Sequence, residues 1–447
     1  MKPELNRQAF TTSRELEYFT ESELTTQTGC SKQQWWPGVV AKELVDNALD
    51  ACEQAGVAPV ISVDFSGDSI RVTDNGPGLA EKIVRKSLDF STRTSDKQLY
   101  ISPTRGAQGN ALKTVFAIPY VLSGRNPGTI AIDSCGVHHR VAVSTDEIAR
   151  RPQIAHGVTG IVKTEGCSIQ VVLNSACSKA IAVDPHFLQK LLFDYSLFNP
   201  HATFTLREGG QQNEFKATNP GWKKWLPSDP TCAHWYTPER FQELVAAYVA
   251  AERNGKKHRT VREFVAEFRG LSGTAKQGSI ISQVGLDRVY LHDFASNGKL
   301  DAETLCRLLR AMQHMSKPVK PAALGLLGES HFRERIHGTK AGGESFRYKR
   351  SMGIDPRTGL PFVIEAAFNM TEDGLLRGRH VGLNWSVPLG DPVQQVKFGV
   401  DNERFQGLSA LLARNQISLD HDGVCLVLHL ISPRFSFLDR GKGSVDL

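Results

Sequence analysis

The stretch of residues 40–52, VAKELVDNALDAC, constrains this chain more than any other. At 100° per residue, its acidic and amide side chains gather on one face of a helix and its apolar side chains on the other. The polar face contains Glu43, Asp46, Asn47 and Asp50. An amide oxygen suits a hard cation such as Mg²⁺, and a carboxylate one turn away can take a proton from an attacking water. An ordinary amphipathic helix with a solvated acidic face fits the pattern as well.

A predicted β-hairpin follows this helix and ends in a glycine-rich turn. Residues 60–65 and 69–73 alternate as strands do, and Ser66-Gly67-Asp68 between them is a good turn. The second strand runs directly into Asp74-Asn75-Gly76-Pro77-Gly78. Glycines at this place let the backbone approach a planar ligand, and the carboxylate can accept a hydrogen bond from an amino group. The alternative is a plain turn into the helix predicted over 79–90.

A third polar motif precedes an apolar run that is predicted to be helical. Residues 104–113 read TRGAQGNALK, and glycines at the mouth of a helix offer free backbone N–H groups to a phosphate. The spacing is not that of a Walker A loop. The polar stretch 91–103 before the motif has no periodicity, which makes it a candidate for a mobile lid.

The three motifs lie in one predicted α/β domain. Strands are predicted over 128–133, 137–143, 157–163, 168–173 and 203–207, with a helix over 185–197. Together the motifs describe a nucleotide pocket with a metal ligand, a base, an acceptor for adenine and a phosphate loop.

The motifs, in this order, resemble the signatures of the GHKL ATPases, and the similarity narrows to the ATP-operated B subunit of DNA topoisomerase VI. Residues 15–24 and Asn199-Pro200-His201-Ala202 resemble further stretches of that protein. The resemblance implies an α+β fold with three parts: a GHKL (Bergerat) ATPase α/β sandwich, a helical insert like a helix–two-turn–helix, and an α/β transducer domain of ribosomal S5-like type. It also implies that the chain uses ATP and Mg²⁺.

The resemblance assigns roles to single residues. Glu43 would be the general base, Asn47 the Mg²⁺ ligand and Asp74 the acceptor for the adenine amino group. The other residues that it assigns to the nucleotide are Gly76, Gly78, Thr94, Arg105, Gly106, Ala107, Gln108, Gly109 and Asn110. The chain departs from the family at Ala111, where the lid has a third glycine, and at Cys167, where a threonine follows the glycine near the adenine. Alanine at position 111 predicts a stiffer loop.

Prolines and tryptophans within residues 216–230 mark a predicted domain boundary. The resulting domains are an ATP-binding domain (1–225), a helical domain (231–316) and a transducer-like domain (317–447). The helical domain has predicted helices over 238–251, 261–269, 278–284 and 302–315. Its candidate contacts to DNA phosphates are Lys256, Lys257, Arg259 and Lys276. A solvated basic loop is the alternative for residues 254–259.

The last domain is predicted to contain strands over 362–369, 381–388 and 424–430. Residues 429–442 resemble the family's strand and loop that carry a switch lysine, so Lys442 would reach the γ-phosphate and report its presence. In the family a long helix follows this lysine and contacts the DNA-cleaving A-type protein. No such helix is visible before Leu447, so we expect that contact to differ. Asp420-x-Asp422 is predicted to be a hairpin turn and not part of a toprim site.

The composition permits a nucleic-acid partner without requiring one. The 447 residues carry a net charge of +6, a mild bias. The eight cysteines form no C-x-x-C pair or zinc-type Cys/His cluster, which predicts reduced thiols. With no signal peptide and no apolar run of membrane-spanning length, we expect a cytoplasmic protein without a membrane partner.

These observations predict an ATP-dependent homodimer that closes over DNA as part of a type II topoisomerase (an isomerase). A separate A-type, toprim-containing protein would cleave the DNA. The alternative is a GHKL switch or clamp outside the topoisomerases that scaffolds a nuclease or another effector. A histidine kinase is disfavoured because no phospho-accepting helix pair precedes the ATP-binding motifs. MutL is disfavoured because it has no insert like residues 231–316.

Overall fold

The computed structural model describes residues 14–92, 99–106, 111–160, 165–336, 345–400, 403–419, 421–438 and 444–446. This part of the chain has a mixed α/β architecture. Its helices are α1 (Glu21–Thr28), α2 (Trp36–Gln54), α3 (Glu81–Ser87), α4 (Ala111–Leu122), α5 (Ser175–Val183), α6 (Phe187–Phe198), α7 (Pro238–Arg253), α8 (Val261–Ala266), α9 (Thr274–Val284), α10 (Ala302–Met315), α11 (Glu329–Ile336) and α12 (Gly407–Arg414). Its strands are β1 (Val60–Phe65), β2 (Ser69–Asp74), β3 (Gly128–Ser134), β4 (Val137–Asp146), β5 (Arg151–Gly160), β6 (Cys167–Val172), β7 (Thr203–Glu208), β8 (Gln211–Phe215), β9 (Ala295–Ser296), β10 (Lys299–Leu300), β11 (Arg347–Ile354), β12 (Pro361–Met370), β13 (Gly378–Leu383), β14 (Lys397–Val400), β15 (Glu403–Gln406), β16 (Val424–Ile431), β17 (Ser436–Phe437) and β18 (Val445–Asp446).

A large sheet of eight strands organises the first half of the chain. The strand order is β5-β4-β3-β6-β2-β1-β7-β8, and all neighbours are antiparallel except β1 and β7. Helices α2, α4 and α6 pack against it. The predicted hairpin is confirmed, because Val63 of β1 pairs with Val72 of β2 and both side chains are buried. The large antiparallel sheet agrees with a GHKL-like fold.

Helix α2 is held in place by its apolar face. Leu44, Val45, Leu49 and Cys52 are at most 2% exposed, so this face lies entirely in the core. Pro37 in the first turn fits a helix start, where its missing N–H leaves no hydrogen bond unmade. The opposite face is therefore fixed in orientation, and with it Glu43 and Asn47.

Two edge elements of the sheet differ from the sequence prediction. Strand β5 begins at Arg151, whereas a strand was predicted over 157–163, and β8 was not predicted. Both are edge strands with largely exposed side chains, and Pro152 and Gly157 interrupt any apolar alternation in β5. Pairing with β4 and β7, respectively, decides their extent, and such pairing leaves no local signal. The helix predicted over 79–90 is shorter, and α5 was also missed.

The helical part, α7 to α10, contains the four predicted helices, and three of their ends differ from the prediction. Helix α7 extends two residues further, to Arg253. Helix α8 ends at Ala266, and α9 begins at Thr274, four residues before its predicted start. Thr260 begins α8 with a capping box, in which its hydroxyl accepts from the Glu263 N–H and the Glu263 carboxylate accepts from the Thr260 N–H. The assignment of this part as a helix–two-turn–helix insert stays a prediction.

A second sheet, in the order β11-β12-β16-β13, lies in the C-terminal part. The predicted strand over 381–388 is wrong beyond Leu383, because Asn384 and Trp385 have φ of 46° and 66° and reverse the chain. The assignment of this part as a transducer, like the division into domains 1–225, 231–316 and 317–447, stays a prediction. Among the described residues, no helix combines the length and the apolar character needed to cross a membrane.

Candidate active site

Glu43 and Asn47 lie one helical turn apart on the polar face of α2, and both are half-buried. Lys42 Nζ is 2.9 Å from Glu43 Oε1 and 3.0 Å from Asp46 Oδ2. Burial opposes the charge of Lys42, but Asp46 and Glu43 raise the pKa of this ammonium well above its usual value. A permanent positive charge therefore fixes the position of the Glu43 carboxylate.

The amide of Asn47 is the least satisfied group of this face. Its Nδ2 is buried and has no hydrogen-bond partner among the described residues. An unsatisfied buried donor is costly. Rotating the amide by half a turn about its Cβ–Cγ bond would place the oxygen where the nitrogen lies and break no bond of that nitrogen. The position accordingly fits a ligand for Mg²⁺, which takes oxygen donors.

The other two acidic residues of the face, Asp46 and Asp50, have structural partners. Asp46 accepts hydrogen bonds from the Tyr195 hydroxyl at 2.9 Å and from Ser386 Oγ at 2.7 Å. Asp50 accepts from Arg105 at 2.7 Å. Asp46 and Asp50 thus bind side chains from other elements of the fold, whereas Glu43 pairs with Lys42 on the same helix. The helical periodicity does not indicate this difference.

Asp74, at the end of β2, begins the predicted adenine-binding turn. Its Oδ1 accepts from the Gly76 N–H at 2.8 Å. Burial raises the pKa of Asp74, and the backbone N–H groups of Gly76 and Cys167 oppose that shift. The turn leans on the second half of α2, since Cys52 Sγ lies 3.4 Å from Asn75 Oδ1. Asp74 therefore lies close to α2 at Cys52, which is less than two helical turns beyond Asn47.

Glycine is required at two positions around this turn. At Gly78, with φ of 78°, an added Cβ would lie 2.7 Å from Ser134 Oγ. At Gly166, with φ of 77°, it would lie 1.7 Å from the carbonyl oxygen of Asp74. Gly166 is thus the glycine against which the Asp74 backbone packs, while the neighbouring Cys167 pairs with Asp74 in the sheet.

Arg105 was predicted to bind the nucleotide, but its side chain is fully buried in an ion-pair network. Its guanidinium donates to Glu53 through two nitrogens at 2.6 and 2.7 Å, to Asp50 at 2.7 Å and to Asn199 at 2.5 Å. Burial opposes its charge, but Glu53 and Asp50 raise the pKa of Arg105 further. This arrangement corrects the prediction, because the side chain holds α2 in place and has no donor left for a phosphate.

Sequence reasoning missed the rest of that network. Lys224 Nζ lies 2.9 Å from Glu53 Oε2 and 4.3 Å from the centre of the Trp385 ring. His201 Nε2 lies 3.0 Å from Glu53 Oε1. Burial lowers the pKa of Lys224 to about 8, and Arg105 contributes to that shift. Glu53, three residues after Asp50, had a local signal, and His201 lies in the stretch 199–202 that resembles the family. Lys224 is remote in sequence and had no signal.

The segment that leads into the glycine loop is attached to two other parts of the chain. The Ile101 N–H donates to the Tyr236 hydroxyl at 3.0 Å, and Asn384 Nδ2 donates to the Thr104 carbonyl at 3.3 Å. After the loop, Lys113 Nζ donates to the carbonyls of Asp89 and Thr92. The remaining predicted residues of the loop and the switch lie outside the described part of the chain: Thr94, Ala107, Gln108, Gly109, Asn110 and Lys442.

The candidate DNA-contacting residues differ in their exposure and in their partners within the protein. Lys256 is exposed, Lys257 pairs with Glu263 at 2.9 Å, and Lys276 donates to the Gly270 carbonyl at 2.9 Å. The Arg259 guanidinium forms an ion pair with Glu267 and covers the Tyr248 ring at 4.8 Å. Arg259 therefore has partners within the protein, and its assignment to DNA, like that of the three lysines, stays a prediction.

Sequence comparison shows which known proteins this chain resembles. No family model matches the chain. The B subunit of type 2 DNA topoisomerase 6 from Archaeoglobus fulgidus is 29% identical over 188 residues, 40% of this chain and 30% of the relative. The corresponding protein from Natronomonas pharaonis is 34% identical over 124 residues, 26% of this chain and 15% of the relative. The chain resembles the GHKL ATPases, among them the B subunit of topoisomerase VI.

Two further similarities, one in sequence and one in structure, say less about the function of this chain. The DNA mismatch repair protein MutL of Phocaeicola vulgatus is 28% identical over 188 residues, 39% of this chain and 28% of MutL. A crystal structure of the N-terminal domain of a DNA repair protein has a TM-score of 0.41 at 10% identity, with 97% of this chain and 92% of that chain covered. At that score the structural likeness carries no argument. The chain matches less than a third of the length of each of these topoisomerase and MutL relatives.

Proposed function

We propose that this chain is a Mg²⁺-dependent ATPase of the GHKL type that dimerises on ATP and acts on DNA with a separate DNA-cleaving protein. The observation that carries the proposal is the pair Glu43 and Asn47. Both are half-buried side chains on one face of α2, and the buried Asn47 Nδ2 has no hydrogen-bond partner in the part of the chain that the structure describes. Similarity to the B subunit of topoisomerase VI supports the assignment of the partner class.

The chain's own residues suit the two tasks of such a site. The Asn47 amide would hold Mg²⁺, which when bound neutralises charge on the phosphates. Glu43 would take a proton from the attacking water, with Lys42 holding its carboxylate in position at 2.9 Å. Asp74, ionised, would accept a hydrogen bond from the adenine amino group, in a turn whose close packing excludes larger residues at positions 78 and 166.

Lys442 would report the γ-phosphate. It follows β17 and precedes β18, two short strands that pair through Phe437 and Val445. The Val445 N–H also donates to the Pro392 carbonyl at 2.8 Å, so both ends of the segment with Lys442 start from fixed positions. ATP can shift an equilibrium between monomer and dimer only if it binds the dimeric state better, and we assign much of that difference to Lys442.

Sedimentation with a non-hydrolysable ATP analogue tests the proposal. The wild-type chain should become dimeric with the analogue and Mg²⁺, and not with ADP. Lys442→Ala should bind the analogue with modest loss and remain monomeric, while Lys397→Ala, an exposed lysine of the same region, should dimerise like the wild type. Equal dimerisation of Lys442→Ala and the wild type, with normal turnover, would remove the switch role.

A second candidate is a GHKL clamp that scaffolds a nuclease or another repair effector. It is favoured by the MutL similarity, which extends over as many residues as the topoisomerase match at nearly the same identity. Affinity purification of the tagged chain from its own cells, with and without the analogue, separates the two. A copurifying toprim protein supports the topoisomerase assignment, whereas a nuclease without a toprim domain supports the clamp.

A further inference from the structure

We propose that the helical part of the chain contains a transition-metal site, best suited to Zn²⁺, formed by Glu252, His258 and His292. His258 Nδ1 lies 3.3 Å and His292 Nδ1 3.1 Å from the same oxygen, Glu252 Oε2, and the two Nδ1 atoms are 3.2 Å apart. Three donor atoms of the three residues therefore form a nearly equilateral triangle. This cluster is separate from the candidate ATP site.

The triangle has the dimensions of one face of a tetrahedral zinc site. With Zn–N and Zn–O bonds of about 2.0–2.2 Å, ligand atoms at the corners of a tetrahedron are about 3.3–3.6 Å apart. The three observed distances, 3.1, 3.2 and 3.3 Å, lie at or just below the short end of that range. Two imidazole nitrogens and one carboxylate oxygen suit zinc, whereas Mg²⁺ prefers oxygen alone.

Electrostatics also favours a cation here. The Glu252 side chain is 2% exposed, and among the described residues its only ion-pair partners are the two histidines. A buried carboxylate needs a compensating charge. Two imidazolium rings with nitrogens 3.2 Å apart would repel each other. One divalent cation would satisfy the carboxylate and leave both rings neutral.

The fold positions all three ligands. Residues 258 and 292 face each other across the antiparallel bridge between Thr260 and Tyr290. The bridge is extended by the Leu291 N–H, which donates to the Arg259 carbonyl at 2.9 Å. Glu252 comes from the last turn of α7, and its other oxygen accepts from the Arg259 N–H at 2.8 Å. The spacing of 252, 258 and 292 matches no short zinc motif, so local pattern does not reveal the cluster.

A second layer of contacts supports His292. Its Nε2 lies 3.6 Å from Asp293 Oδ1, and its ring stacks on Tyr290 at 5.4 Å. A carboxylate at this distance attracts the positive charge of the metal–histidine unit without a hydrogen bond to the ring. His258 is 61% exposed at its side chain, so solvent and a dissolved ion can reach the cluster. The bound metal would link the loop of residues 254–259 to the end of α7 and to the segment that carries His292.

Zinc binding by the full chain, stripped with a chelator and free of nucleotide, tests the site. The wild type should bind one more Zn²⁺ per chain than His292→Ala or the double variant His258→Ala/His292→Ala, with Co²⁺ giving a tetrahedral absorption spectrum. His314→Ala, a histidine on α10 away from the cluster, should match the wild type. Asp293→Asn should weaken binding, because it removes the negative charge 3.6 Å from His292 Nε2.

Limited trypsin digestion gives an independent readout. Zn²⁺ should slow cleavage after the exposed Lys256 and Lys257 in the wild type and in His314→Ala, but not in His292→Ala. Circular dichroism identifies a variant that fails to fold, in which case Asp293→Asn still tests the site. Equal zinc stoichiometry and equal affinity in the wild type and the ligand variants would overturn the proposal and leave a hydrogen-bonded triad.

Discussion

Ser386 Oγ donates a 2.7 Å hydrogen bond to Asp46 Oδ2, and Asp46 directly precedes Asn47 and follows Glu43 by three residues on α2. The next residue back from Ser386, Trp385, accepts at its carbonyl from Asn199 at 2.9 Å and from Arg105 at 3.4 Å. A turn of the C-terminal part thus contacts the helix that carries the candidate base and metal ligand. Movement of this turn would displace Asp46 on α2 directly, because no other helix or strand lies between the two contacting residues.

We therefore expect Ser386→Ala to separate nucleotide binding from the response to it. The variant leaves a buried carboxylate oxygen with Lys42 as its remaining partner, and loss of a hydrogen bond to a charged group costs about 1.5–3 kcal/mol of unfolding free energy. Urea unfolding measures that loss, with Ser282→Ala, exposed on α9, as the control. Analogue affinity should remain while ATP turnover falls. Normal turnover in a measurably destabilised Ser386→Ala would argue against coupling through this contact.

Glu43→Gln should reduce ATP turnover about 10²–10⁴-fold, the usual contribution of a general base. Nucleotide binding should change little, because the amide keeps the shape of the carboxylate. Single-turnover hydrolysis and calorimetry measure the two effects. Glu239→Gln, an exposed carboxylate at the start of α7, is the matched control. Wild-type hydrolysis in Glu43→Gln would assign the base elsewhere.

Local pattern predicted α2 and the β1–β2 hairpin well, because their apolar residues repeat with the period of the element and nearly all fall in the core. It also grouped Glu43, Asn47 and Asp74 as one candidate site. It misjudged Arg105, whose type and position suit a phosphate, because Glu53, Asp50 and Asn199 come from places that only folding brings together. The predictions for the edge strand β5 and for the turn at Asn384 were wrong for the same reason. Their bounds are determined by strand pairing and packing with residues remote in sequence.

Asp74→Ala should weaken ATP binding at least about tenfold, since a lost hydrogen bond to a charged acceptor costs about 1.5–3 kcal/mol and about 1.4 kcal/mol is a factor of ten. Asp74→Asn should lose less, because its amide oxygen can still accept. Isothermal titration calorimetry measures both. Asp64→Ala, on the neighbouring strand β1 with its side chain 37% exposed, should bind like the wild type. An unchanged affinity in Asp74→Ala would place the adenine pocket elsewhere.

Lys224 predicts a pH-dependent stability. Its pKa is about 8 in the folded chain against an ordinary value of 10.5, so between these values the unfolded chain binds more protons. The unfolding free energy contributed by this group therefore rises with pH across that window. In Lys224→Met the group is absent, so the stability of the wild type relative to the variant should increase from about pH 8 to about pH 10, as measured by urea unfolding. A constant difference would show that Lys224 titrates normally.

The basic residues of the helical part predict a salt-dependent affinity for DNA. Each phosphate contact that is lost should reduce the slope of log K against log salt by about 0.9 for duplex DNA. Lys256 is exposed, Lys257 is 80% exposed at its side chain although it pairs with Glu263, and Lys276 is exposed. Replacing these three lysines by alanine should therefore weaken duplex binding and flatten that slope, equally for unrelated sequences.

Arg259 is the informative comparison for this prediction. Its guanidinium is held by Glu267 and the Tyr248 ring, and an ion pair must break before it can meet a phosphate. Arg259→Ala should accordingly change stability more than the salt slope, and Lys299→Ala, an exposed lysine of the β9–β10 hairpin, should change neither. Fluorescence anisotropy at several salt concentrations measures the slopes. If the triple lysine variant keeps the wild-type slope, residues 254–259 form a solvated loop and DNA binds another surface.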